Sequence, residues 1–587
     1  MKKVLYILIL INLIFLSINL SYILKTEPET IIETASVTEE TGNIYLSQED
    51  QTWALNTTRE TINQYLTDET TYQPQNIPTV FTEQTKKIFI SLYNLETHEL
   101  RACQSGNSLT EAAINTTKDG RFDNLDLDEM ANILIVINIL NPETEVKDTD
   151  EWSDITLGIN GLILKQGEET KATFLPGVAI SHNYDRSTLV ENLCEKANLE
   201  EDCNTDSENK FYKFTAFTFM EDELKGSIEL YRYNVYTDDL DRENIETMLS
   251  TAGDWLEGKM EENGKFKYEY SPSEDDYTTD YNLLRHIGST YSLLLLYEYY
   301  GNEKYLESGK KGIDYFMTYA VAENEMLYIE DDGEAKLGGA ALAIIALEKY
   351  HEITGDENSL DLAEKFGKFI LIMQKDDGGF KNYYPEEKTE EKEAYEVYSA
   401  EANLALTRLY EATGGTEYLS ALQKSYAYTK NYFDSTPATM MISWDIAAFS
   451  ELYYLTNNEN YADLAYAMAD WIIEQQYTEE SAPYQDYIGA YSNLRGTPTY
   501  SEGIGDAIKL AKYQGDDNRK ETYKTALKLS LQYIYNTQYR EDNSFYLENP
   551  DEAIGGFKAN VYENSQRIDQ SQHSVSAIIK AVENYVY

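Results

Sequence analysis

The chain has 587 residues, with 103 Asp plus Glu against 48 Lys plus Arg, for a formal net charge of −55. That length accommodates two or three domains with complete cores. The charge excludes non-specific nucleic-acid binding, because a phosphate backbone would be repelled, and three cysteines are too few for a disulfide scaffold.

At the N-terminus Met1, Lys2 and Lys3 precede an uncharged apolar run over residues 4–24, long enough to cross a bilayer as a helix. The two lysines favour a cytoplasmic start, and no small-residue cleavage pattern follows. The expectation is therefore a retained signal anchor over residues 1–24, with the bulk of the chain extracytoplasmic and the membrane as one partner. Residues 25–43, rich in Thr and Glu, read as a polar stalk. Triplets at Asn56 and Asn115 suit glycosylation of an exported chain.

Residues 44–236 mix helical spacing, as over residues 52–66, with short apolar strand-like runs at 87–93 and 133–140. Leu100, Arg101, Ala102 and Cys103 follow the first run; Asp119, Gly120, Arg121 and Phe122 come next. Gly158 to Leu164 reads G-I-N-G-L-I-L, and Phe174, Leu175, Pro176, Tyr184, Asp185 and Arg186 complete an ordered series. As a set these resemble the AMMECR-type domain family, with its L-R-G-C-I-G, D-P-R-F and G-x-x-G-L-I-L signatures. The resemblance implies an α+β fold and no settled reaction. Ala102, Gln104 and Ser105 depart from the family's glycine and isoleucine positions. Arg101 and Cys103 are candidate site residues, against the alternative of a structural turn with a buried thiol. Cys194 and Cys203 have the option of pairing outside the cell, which would leave Cys103 single.

Residues 237–587 carry a repeat of about 45 to 60 residues, a helix pair per unit. Charged outer segments begin near Glu243, Glu303, Glu357, Glu417, Glu459 and Arg519, and apolar partners near Arg285, Leu337, Glu396, Trp444, Tyr500 and Gln572. Turns at Gly301, Gly355, Gly414 and Gly515 each join a glycine stop to an acidic first turn. Six pairs predict an all-α (α/α)6 toroid, with an open superhelical stack as the rival. The expected fold class is thus multidomain: an N-terminal transmembrane helix, an AMMECR-type α+β domain and a toroid.

In a closed ring the inner-helix N-termini share one mouth. There the first loop brings Tyr281, Arg285 and His286, and the last Arg567, Asp569, Gln572 and His573. Neutral histidines at helix starts accept protons, Asp569 is placed to orient one, and Arg285, Arg495 and Arg567 suit an anionic sugar. A structural latch is the alternative. Glu401, Asp445 and Glu502 are candidate acids or bases; Tyr398, Tyr500 and Trp444 are candidate sugar platforms. No H-E-x-x-H or C-x-x-C motif occurs, so neither metal nor cofactor is expected. The region resembles six-hairpin glycosidases, uronyl hydrolases and sugar epimerases, which implies a glycan or small sugar partner and hydrolase, lyase or epimerase chemistry. The alternative is a non-catalytic glycan- or protein-binding scaffold. The oligomeric state stays open.

Overall fold

A computed structural model describes residues 45–82, 87–149, 151–385 and 395–587. These all fall within one compact unit. The expected membrane-spanning helix is corrected: among the described residues no helix is long and apolar enough to cross a membrane. Residues 1–24 and the stalk at 25–43 lie outside the described residues. The described fold is therefore an α+β domain followed by a helical toroid, without a transmembrane helix.

The first domain begins with helix α1 (Gln48–Asp68), started by Ser47, whose hydroxyl accepts from the Asp50 amide at 3.2 Å. Its buried Ala54, Leu55 and Ile62 share one core with a six-stranded sheet. That sheet runs β10-β9-β8-β3-β1-β2 through β1 (Ile88–Asn94), β2 (Leu100–Gly106), β3 (Ile133–Leu140), β8 (Ala216–Asp222), β9 (Gly226–Tyr231) and β10 (Asn234–Val235). Helix α2 (Leu109–Thr116) packs on β2. A second sheet, β4-β7-β5-β6, is built from β4 (Thr144–Glu145), β5 (Gly161–Gln166), β6 (Glu169–Phe174) and β7 (Asn209–Phe214). The short α3 (Gly177–Ser181) and α4 (Arg186–Lys196) cover it, and Cys194 at the end of α4 is bonded to Cys203.

The toroid alternates outer and inner helices. The outer helices are α5 (Arg242–Gly258), α7 (Glu303–Met317), α9 (Glu357–Met373), α11 (Thr416–Ser435), α13 (Glu459–Ile473) and α15 (Asp517–Thr537). The inner ones are α6 (Leu283–Tyr300), α8 (Leu337–Thr354), α10 (Tyr395–Thr413), α12 (Thr439–Thr456), α14 (Thr497–Gln514) and, after the single turn α16 (Pro550–Ala553), α17 (Ile568–Glu583). Five inner helices stop in a left-handed residue: Gly301, Gly355, Gly414, Asn457 and Gly515, with φ between 53° and 73°. The inner helices start up to five residues before their sequence-based positions, because caps such as Asn282, which accepts from the Leu284 and Arg285 amides, set the true ends.

Each inner helix packs on the next, and α17 packs on α6, so the ring is closed and the open stack is ruled out. Two further contacts make the same seam. Strand β11 (Glu269–Ser271) of the first unit pairs with β18 (Glu563–Arg567) of the last. At the outer wall, Gly555 takes φ 94° and lies so close to α5 that a Cβ would come within 2.3 Å of the Thr251 carbonyl. The Gln538 amide there donates to Met248 O and Gly555 O. The same joint recurs between neighbouring units, where Gln374 donates to Gly378 O and Ala421 O, and Gln476 to Gly489 O and Ala526 O.

Toward the far end of the ring, each inner helix contributes one polar group: Tyr291, Glu348, Arg408, Glu451, Asp506 and Lys580. Arg408 meets Glu451 at 2.6 Å and Glu348 at 4.0 Å, and Lys580 meets Asp506 at 2.8 Å.

The first domain is bolted to the rim segments that precede α14 and α17 and to the last turn of α15. Buried Arg232 donates to Asp486 at 2.6 Å and lies over the Tyr484 ring. Asn234 donates to Asn536 O at 2.7 Å, and Asn564 donates to Ile180 O at 2.9 Å. Tyr93 and Tyr233 pack on Phe545.

Candidate functional site

The mouth is organised by Asp569, in the first turn of α17. Strand β18 delivers Arg567 just ahead of it, and the two form a bidentate pair with Nε–Oδ1 2.9 Å and Nη2–Oδ2 2.6 Å. Arg285, in the first turn of α6, reaches the same carboxylate at 3.3 Å. Burial works against the charge of Asp569, but the two guanidiniums hold its carboxyl below the usual range. First and last inner helices thus do meet through charge, as the closed ring requires.

Two carboxyls behave oppositely. Glu401 on α10 is buried at 2% exposure, and its Oε2 has no hydrogen-bond partner. Burial pushes its pKa up to about 8 against the pull of Arg285. Gly338 on α8 makes this placement possible, since a Cβ there would sit 2.4 Å from Glu401 Oε2 and 2.6 Å from the Tyr398 ring. Asp445 on α12 is likewise buried and pushed up to about 7, although Asn403 donates to it at 2.8 Å. Ser425 in turn donates to Asn403 Oδ1 at 2.6 Å. Glu401 therefore keeps most of its proton at pH 7, and Asp445 titrates close to neutrality.

His573, one turn into α17, bonds through Nδ1 to Glu502 Oε2 of α14 at 3.1 Å. A carboxylate accepts only, so Nδ1 donates and Nε2 is the basic nitrogen. Among the described residues Nε2 takes no protein hydrogen bond. Trp444 stands edge-on to this ring with centroids 6.2 Å apart.

His286 does not join His573. It is fully buried between α6 and α7, where Nε2 donates to Gly312 O at 3.0 Å and Nδ1 accepts from Tyr281 OH at 2.8 Å. Phe266, Tyr315 and Phe316 surround it, and burial pushes its pKa down to about 4. It faces an outer helix because α6 turns this position away from the ring axis. Arg495 is paired with Glu563. Tyr500 is buried, with its hydroxyl accepting from Asn493 at 3.3 Å. Tyr398 stacks edge-on to Tyr383 at 6.3 Å. A cavity of about 300 Å³ opens beside the mouth between Tyr281, Asp331, Glu334 and Gly339.

Sequence reasoning missed Asn403 and Gly338. Both lie inside runs whose spacing signals only an inner helix, and no residue-type motif marks them. Gly338 had one usable signal, the adjacent Gly339 in a helix interior, where glycine is costly without a packing reason.

In the first domain, Arg101 is fully engaged, pairing with Glu129 at 2.7 Å and donating to the carbonyls of Asp123 and Asn124. Cys103 is the chain's one unpaired cysteine. Burial pushes its thiol up, and it accepts from Ser91 Oγ at 3.3 Å.

A family model, AMMECR1, matches residues 55–219. A protein of Methanocaldococcus jannaschii is 31% identical over 195 residues, covering 31% of this chain and 96% of that protein. Two solved structures are similar to the toroid region. The GH76A α-1,6-mannanase of Salegentibacter sp. HEL1_6 is 14% identical with a TM-score of 0.45, covering 58% of this chain and 99% of that one. Cellobiose 2-epimerase of Bacillus thermoamylovorans B4167 is 12% identical with a TM-score of 0.43, covering 57% and 99%.

Proposed function

Since the chain belongs to the AMMECR1 family and joins that domain to a six-hairpin toroid, we propose that the toroid is a carbohydrate-acting enzyme working by acid/base chemistry. The observation that carries this reading is Glu401, a buried carboxyl with an unpartnered oxygen, still protonated at neutral pH. Such a group is a general acid ready to protonate a leaving or ring oxygen. The complementary base is His573 Nε2, with Glu502 fixing the tautomer as a carboxylate does in hydrolytic triads. Asp569, Arg285 and Arg567 form a rigid charged post between first and last helices. Trp444 and Tyr398 supply aromatic walls on which pyranose faces pack.

The substrate is read as a neutral glycan. Arg285 and Arg567 share Asp569 and Arg495 is paired with Glu563, so each of these arginines already has a carboxylate. The field of a −55 chain also opposes an anionic sugar. The Cys194–Cys203 disulfide supports a compartment outside the reducing cytosol.

The test is a panel of neutral oligosaccharides with product analysis on the wild type, Glu401→Gln and His573→Ala. Product from the wild type that both substitutions abolish, with unchanged thermal midpoints, is the expected result. Sugar binding that persists in all three without any product would replace the enzyme by a glycan-binding scaffold.

A further inference from the structure

A second cavity, about 390 Å³, lies in the AMMECR1 domain between β1, β2, β6 and α3. Its composition is the reverse of the chain's. Acids outnumber bases more than two to one overall, yet Lys87, Arg121, Lys171 and Lys196 line this cavity, and among the described residues no carboxylate does. Two acids touch these bases from outside the lining: Glu169 pairs with Lys171 at 2.7 Å, and the other is Asp119. Its charge is spent on Arg121 at 2.6 Å and on the Cys103 amide at 2.9 Å.

The bases form a rim and the floor is different. Arg121 and Lys196 are exposed at the edge, and Lys196 donates to Thr173 O at 3.0 Å, leaving other N–H donors unused. The floor is made of Ser91, Cys103 and the buried hydroxyls of Tyr93 and Tyr233, which bond each other at 2.5 Å. A molecule fitting this shape has a charged head at the rim and a compact body that tolerates both hydroxyls and aromatic faces. Loss of solvation and the neighbouring Arg121 lower the pKa of Lys196, while Cys103 and Asp119 pull it the other way.

We propose that this cavity is a binding site for a small organic anion, carrying a phosphate or carboxylate head held by Lys196 and Lys87, which among the described residues have no carboxylate partner, with Arg121 and Lys171 adding charge at the rim. Long-range electrostatics cannot account for such binding, since the whole chain repels anions; recognition has to come from the local basic rim. The site is independent of the chemistry assigned to the toroid.

The experiment uses the whole chain and two readouts. Calorimetric titration with glucose 6-phosphate and with citrate should show binding that weakens as salt rises, while glucose should show none. Lys196→Met and Lys87→Met should each weaken the anion at least tenfold with little change in thermal midpoint, because both side chains are exposed at the rim. In parallel, alkylation of Cys103, which lines the floor, should slow at least threefold when the anion is present and not with glucose. Response to citrate alone, or to the sugar phosphate alone, identifies the head group within the proposed class. Absence of binding by both anions, or equal binding by both lysine variants and the wild type, overturns the assignment.

Discussion

Both ends of the toroid bury ionisable groups and partner them differently. At the far end acids meet cations: Arg408 with Glu451 and Glu348, Lys580 with Asp506. At the mouth, Asp569 has two arginines, while Glu401 has no hydrogen-bonding partner and Asp445 has only an amide. A buried charge without a partner costs several kcal/mol, so an unpaired carboxyl keeps its proton instead. Burial pushes the far-end acids up as well, Glu348 to about 7 and Glu451 in the same direction, so the difference is that Glu401 and Asp445 have no cation at ion-pair distance among the described residues.

The sharpest way to break this comparison is Glu401→Gln, which keeps shape and removes the titrating proton. Turnover should fall about 10²- to 10⁴-fold while the thermal midpoint holds or rises. A variant that keeps full activity would show that Glu401 is as structural as the far-end acids. Next, Arg408→Met should cost about 3 kcal/mol in urea unfolding, since it strands Glu451 and Glu348 in a poorly solvated place. Loss below about 0.5 kcal/mol would mean the far-end pairs are as slight as surface pairs.

His286→Phe should destabilise by about 1–3 kcal/mol, because Tyr281 OH and Gly312 O each lose a buried partner. Activity per folded molecule should not change, in contrast with His573→Ala.

The last comparison is in pH dependence. The unfolded chain releases the Glu401 proton near the ordinary carboxyl pKa of about 4.3, whereas the native state keeps it to about 8. Between those values the native state binds more protons, so stability falls as pH rises and levels off above the upper one. Asp445 adds the same sign up to about 7. Glu401→Gln should flatten the slope by up to about 1.4 kcal/mol per pH unit, read from unfolding midpoints between pH 5 and pH 8. An unchanged slope would place the proton elsewhere.

Much of this architecture was legible in the chain. Helix periodicity and glycine stops gave six hairpins, and ring closure followed because six such units leave their end faces complementary. The turn at Asn457 escaped because asparagine substitutes for glycine in the left-handed position. The mouth was legible as a set of residues but not as a set of roles. Arg285 and Asp569 meet as their positions imply. His286 sits only one residue from Arg285, and one step along a helix turns a side chain by about 100°, which carries it from the ring axis to the outer wall. Protonation states were beyond reach too, since they depend on burial depth and on Gly338, a neighbour from another helix. In the AMMECR1 domain the motif residues were recognisable, but Lys196 and Arg121 are 75 positions apart and only folding gathers them.

The glutamine–glycine joint at Gly555 sets which rearrangements of the chain the ring tolerates. It fastens the last hairpin to the first with the same hydrogen bonds that Gln374 and Gln476 make between consecutive ones, so the circle has no mechanically distinct beginning. A toroid re-cut at the exposed Asn457 and Asn458 turn, with Tyr587 joined by a short linker to Asp239, whose charge lies near it, should reassemble the same circle. Deleting the final hairpin instead should unravel both neighbours.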